Sequence, residues 1–74
     1  MTIKEIFEKY GLNDYDYVVV DAAGFYWEEC MGNWYAVGEF GWTATTEEVE
    51  KAGLVSMNVD DDDKIIYIYV NDSL

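Results

Sequence analysis

The sequence predicts an α+β fold, a mostly antiparallel sheet with helix packed on one face. Three observations lead there. Two stretches carry helical apolar spacing behind capping boxes, and five show strand-like runs. The turns between most strands are short enough for hairpins. The order read along the chain is α-β-β-β-α-β-β, within one domain spanning residues 1–74.

In "MTIKEIFEKYG", Thr2 and Glu5 stand at capping-box spacing, and Ile3, Ile6, Phe7 and Tyr10 line one helical face. Gly11 supplies the stop. "YDYVVVD" (Tyr15 to Asp21) is rich in β-formers and sets Val18 and Val20 opposite Tyr15, Tyr17 and Val19. "AAG" turns the chain into "FYWEECM" (Phe25 to Met31), and Gly32 with Asn33 forms a hairpin connection. "WYAVGEFGW" (Trp34 to Trp42) reads as a third strand in which Gly38 and Gly41 allow a bulge or bend. It places Trp34, Phe40 and Trp42 opposite Tyr35 and Val37.

The second helix begins at Thr45, whose spacing to Glu48 repeats the capping box. It faces Val49 and Ala52 inward and ends at Gly53. "LVSMNV" (Leu54 to Val59) alternates as a half-buried strand. Asp60 to Asp63 turn the chain into "KIIYIYV", where Ile66, Ile68 and Val70 share one face and Ile65, Tyr67 and Tyr69 the other. One sheet face is therefore expected to be aliphatic and packed on the first helix, the other rich in tyrosine.

Composition narrows function by exclusion. Sixteen Asp and Glu face four Lys, with no Arg and no His, for a net charge of -12. Small soluble domains carry a net magnitude of about 2 to 8, so solubility does not require this excess. Direct binding to nucleic-acid phosphates or to an anionic membrane is strongly disfavoured, because so few cations can replace counterions. The expected partner is a basic protein surface. No apolar run approaches the roughly 20 residues of a membrane span. The acidic, amphipathic N-terminus is unlike a signal peptide. The single cysteine, Cys30, cannot form an internal disulfide, which favours a cytoplasmic setting.

Catalytic chemistry finds little to use. Without histidine the usual neutral-pH base and metal ligand is missing, and neither Ser56 nor Ser73 has a triad partner. Cys30, beside Glu29, is a poor nucleophile and reads as a small core filler. No glycine pattern matches a phosphate loop. A calcium loop begun at Asp60 would need glycine and glutamate where Ile65 and Asn71 stand, and the register from Asp61 also fails. The expectation is a non-enzymatic protein without cofactor or metal.

What remains is acid and aromatic. An ordinary turn needs one or two aspartates rather than four, and the surplus in Asp60, Asp61, Asp62 and Asp63 points to a basic partner. The other candidate contacts are Glu47, Glu48 and Glu50, Glu28 and Glu29, Asp14 and Asp16, with Tyr67 and Tyr69 from the tyrosine face. A domain of this length has a diameter of about 29 Å, over which duplex DNA carries roughly 17 phosphate charges. A net charge of -12 is of that order.

A small acidic chain carrying "DDDD" and "TTEEVEK" resembles the phage-encoded inhibitors of host defence, the anti-CRISPR and anti-restriction proteins that imitate nucleic acid. The resemblance rests on size and charge across the whole chain. It implies a stoichiometric inhibitor that occupies the nucleic-acid-binding channel of its target, such as a CRISPR effector. The alternative is a small assembly domain whose tyrosine face forms a homodimer or docks another protein.

Overall fold

A computed structural model describes all 74 residues, Met1–Leu74. It shows a small α+β domain with two short helices and a six-stranded, mostly antiparallel sheet. The first helix, α1 (Ile3–Tyr10), starts at a complete capping box between Thr2 and Glu5. It buries Ile3, Ile6 and Phe7, the face its spacing predicts. Strand β1 (Asp16–Val20) then pairs with β2 (Tyr26–Cys30), and β2 with β3 (Asn33–Ala36).

Here the element order departs from expectation. Only the start of the run Trp34 to Trp42 is strand: β3 ends at Ala36, a loop fills the rest, and an unexpected strand β4 (Thr43–Thr45), just beyond the run, returns antiparallel beside β3. Gly38 and Gly41, both at positive φ, build the intervening loop, which Ala36 N closes on Trp42 O at 3.1 Å. Phe40 and Trp42 are exposed there, not strand residues opposing Tyr35. The observed order is therefore α-β-β-β-β-α-β-β.

Helix α2 (Thr46–Glu50) follows its own complete capping box from Thr45 to Glu48, and Val49 and Ala52 are buried as expected. It ends on Lys51 in right-handed geometry, so Gly53 is not its left-handed stop. Gly53 answers to space instead, since a Cβ there would collide with the Asn71 side chain. Strands β5 (Leu54–Asp60) and β6 (Ile65–Val70) form the last hairpin.

The sheet order β4-β3-β2-β1-β6-β5 makes β6 an interior strand, between the edge strand β5 and β1, to which it runs parallel. A strand flanked on both edges and covered by helix is the most buried kind, which accounts for the apolar run "IIYIYV". Ile66 and Ile68 are fully buried, as is Val19 on β1. The helix-side core is not purely aliphatic, since Phe7, Tyr17, Trp27 and Trp34 are buried in it. Phe7 stacks on Trp34 (5.7 Å between centroids) and meets Tyr17 edge-on (5.1 Å). Tyr17 and Val19 therefore lie with Ile66 and Ile68, while Val18 and Val20 share the other side with Tyr67 and Tyr69. The expected division into aliphatic and tyrosine faces is corrected accordingly, because the β1–β6 register sets the parity.

The β2–β3 hairpin turns through Met31 and Gly32, both at positive φ, rather than Gly32 and Asn33. Two left-handed residues in succession are the turn whose twist suits a tight hairpin.

Candidate functional site

Both helices cover one side of the sheet, which leaves the opposite side bare. Strand alternation and register place its residues in rows crossing the strands. The middle row runs Thr43, Tyr35, Glu28, Val18, Tyr67, Asn58 across all six strands. Above it lie Tyr26, Val20, Tyr69 and Ser56, and below it Cys30, Asp16, Ile65 and Asp60. Tyr26, Tyr35 and Tyr69 are 54%, 46% and 40% exposed, so these rings are not a second core. The four lysines stand on α1, just after α2 and in the β5–β6 turn, so no cation lies in these rows. Cys30 is exposed on this face rather than a core filler, because its parity is opposite to that of the buried Trp27.

A shallow cleft of about 370 Å³ opens at the lower end of the face. Asp16, Glu28 and Glu29 line it with Tyr17 and Tyr35, together with Val18, Ile65 and Cys30. Its size is near the bottom of the roughly 300–1,000 Å³ typical of ligand pockets. No group of three or more His, Cys, Asp or Glu side chains converges to hold a metal ion.

The candidate carboxylates divide by what already engages them. Asp60 Oδ1 accepts from the backbone N–H groups of Asp62 and Asp63, both at 3.1 Å, so it builds its own turn. Asp61 accepts from the Tyr15 hydroxyl at 3.0 Å, which raises the Tyr15 pKa. Glu29 is half-buried, and its carboxylate accepts from Gly32 N (2.8 Å) in the hairpin. Glu48 closes its capping box, and Glu47 pairs with Lys51 at 3.3 Å. Asp14, Asp16, Glu28, Asp62 and Asp63 have no such partner; nor does Glu50, which lies apart on α2.

Those five gather at one end of the molecule. Asp16 N donates to Lys64 O at 2.8 Å, joining the start of β1 to the β5–β6 turn. Asp16 and Glu28 then share the cleft. Glu29 and Asp14 are also close enough to act on buried Tyr17. Burial first, then the phenols of Tyr10 and Tyr15 and these carboxylates, pushes its pKa up to about 12. The α2 carboxylates are not brought into this group: α2 starts beside β4, the edge strand opposite β5. At about 4.8 Å per strand those edges are roughly 24 Å apart.

Sequence reasoning missed Asp21, the one buried charged residue. Its Oδ1 accepts from Ala23 N and Phe25 N, and its Oδ2 from Trp27 Nε1, each at 3.0 Å, with Leu74 N at 3.4 Å also on Oδ2. Desolvation opposes ionisation, yet the donors, Trp27 foremost, outweigh it and lower the pKa. This is an architectural hub rather than a binding group.

No family model, curated protein or solved structure matches the chain. No helix is long and apolar enough to cross a membrane.

Proposed function

We propose that this protein is a non-enzymatic inhibitor that binds a basic nucleic-acid-binding surface and blocks it by imitating nucleic acid. A CRISPR effector or restriction enzyme is the kind of target meant, and the cytoplasm is where the unpaired thiol would stay reduced. One observation carries the reading: of the eight carboxylates without an internal partner, five (Asp14, Asp16, Glu28, Asp62 and Asp63) lie toward the end where the β5–β6 turn meets the start of β1, while Glu8, Glu39 and Glu50 lie elsewhere. The long axis of 28 Å corresponds to duplex bearing about 16 phosphate charges, against a net of -12 here.

The decisive measurement is displacement of a labelled DNA duplex from a purified CRISPR effector or restriction enzyme. Displacement should be stoichiometric and should weaken steeply from about 50 to 500 mM salt, as expected for association between opposite charges. Binding equally strong at both salt concentrations, or failure to compete with duplex, would overturn the proposal.

The exposed tyrosines favour a second reading, an assembly domain that dimerises through its bare sheet face. Electrostatics weighs against the homodimer. Two such faces in contact would bury Asp16 and Glu28 among like charges with no lysine to offset them. Light scattering showing a salt-independent dimer would reverse that judgement.

A further inference from the structure

We infer that the helix-free sheet face is a seat for arginine, taking a segment of the partner that carries guanidinium groups rather than ammonium groups. This rests on the inhibitor reading above and specifies where and by what chemistry the partner is held. In the middle row, Glu28 stands between Tyr35 and Val18, and Tyr67 lies beyond Val18. Asp16 joins Glu28 in the cleft, which Glu29, Tyr17, Tyr35, Cys30 and the apolar Val18 and Ile65 also line.

A seat of this kind distinguishes the two cations. An ammonium is a compact, strongly hydrated charge and loses more by leaving water for a half-apolar wall. A guanidinium is flat and weakly hydrated. It can stack on a tyrosine ring while its edge donates two hydrogen bonds to one carboxylate. The volume of about 370 Å³ is large enough to admit one such side chain. Charge complementarity calls for a cationic occupant, since the face carries Asp16, Glu28 and Asp60 and no lysine, and the ring and apolar wall favour guanidinium over ammonium. The aspartate turn, by contrast, offers the open carboxylates of Asp62 and Asp63, and its neighbouring ring, Tyr15, already carries Lys64 at 5.2 Å, so it should attract either cation equally.

The test titrates the isotopically labelled chain with an oligoarginine peptide and an oligolysine peptide of equal length at low salt. Oligoarginine should bind at least about tenfold more tightly. It should move the amide signals of Val18, Glu28, Tyr35 and Tyr67. Glu28→Gln combined with Tyr35→Thr should cost about tenfold against oligoarginine while leaving the melting temperature unchanged. Asp62→Asn with Asp63→Asn should weaken both peptides alike.

Equal binding of the two peptides, with signals moving only at Asp61 to Lys64, would remove the arginine seat and leave the acidic-inhibitor reading standing. Binding of neither peptide would remove both. Face signals that shift with protein concentration alone would assign the surface to a second copy of this chain. The mapping is made on the unaltered protein, so a variant that failed to fold would not blunt the result.

Discussion

Asp21 at the upper end of the sheet and the run Asp60 to Asp63 at the lower end hold the same carboxylate in opposite circumstances. Asp21 is 5% exposed and receives four donors, three of them backbone N–H groups and one an indole. In the lower run Asp60 receives two backbone donors and Asp61 one phenol, while the carboxylates of Asp62 and Asp63 receive none. Whether an acidic residue is committed to the architecture can therefore be read from its donors. The hub is saturated, and the turn grades from structural to unspent within four residues. That gradient can be broken or sharpened by substitution.

The largest effect is expected at Asp21. Each carboxylate oxygen takes two donors, and an amide keeps only one accepting oxygen. Asp21→Asn thus leaves either the two turn N–H groups or the Trp27 indole and Leu74 N facing an NH2 group. Buried donors without acceptors cost about 2–4 kcal/mol in all. Chemical denaturation should show a loss of that size, a large share of the roughly 4–11 kcal/mol expected for this length. The acid limb gives a second reading. Because the folded pKa is lowered below 3.8, the contribution of Asp21 is fully present above that value and fades as pH falls through the folded pKa. The stability gap between wild type and Asp21→Asn should stay constant above about pH 5 and close below about pH 4. A gap that ignored acid would mean the charge itself contributes nothing.

An intermediate effect is expected at Asp60. Asp60→Ala removes the acceptor of two turn N–H groups that water can partly replace, so the cost should be about 1 kcal/mol. Lys64, at positive φ in the same turn, depends on that geometry. A loss as large as that of Asp21→Asn would erase the distinction between hub and turn.

Much of this contrast was legible in the sequence, unevenly. Both capping boxes were visible because their donors and acceptors lie three residues apart. The two faces of "IIYIYV" followed from alternation alone. The parity of β1 relative to β6 did not, because parallel pairing between distant segments leaves no local trace. Strand β4 was missed because it starts at Thr43, just past "WYAVGEFGW", whose apolar residues continue beyond the end of β3 into a loop. The glycines there mark a reversal rather than a bulge. Asp21 illustrates the harder limit. Asp ahead of "AAGFYW" signals a turn acceptor, yet its fourth donor is Leu74, 53 residues away. Cys30 was misplaced for a simpler reason: the usual burial of cysteine outweighed the parity that buried Trp27 sets for its strand. Among the candidate contacts, residue type identified acidic groups, but only the fold could separate Glu29 and Glu48, already engaged, from Glu28 and Asp16.

The smallest effect on stability is expected at Asp62 and Asp63, and its sign carries the information. Asp62→Asn with Asp63→Asn removes two exposed like charges and no hydrogen bond made by their carboxylates. The backbone N–H groups that Asp60 receives are untouched, so the turn keeps its shape. Relief of repulsion should raise the melting temperature slightly, by no more than about 2 °C at low salt, and the rise should vanish at high salt. The same double variant should weaken displacement of duplex from the target. Stability and binding would then move in opposite directions, as expected of charge maintained against the interest of the fold. A drop in melting temperature would instead show that these carboxylates hold the turn together and belong with Asp21.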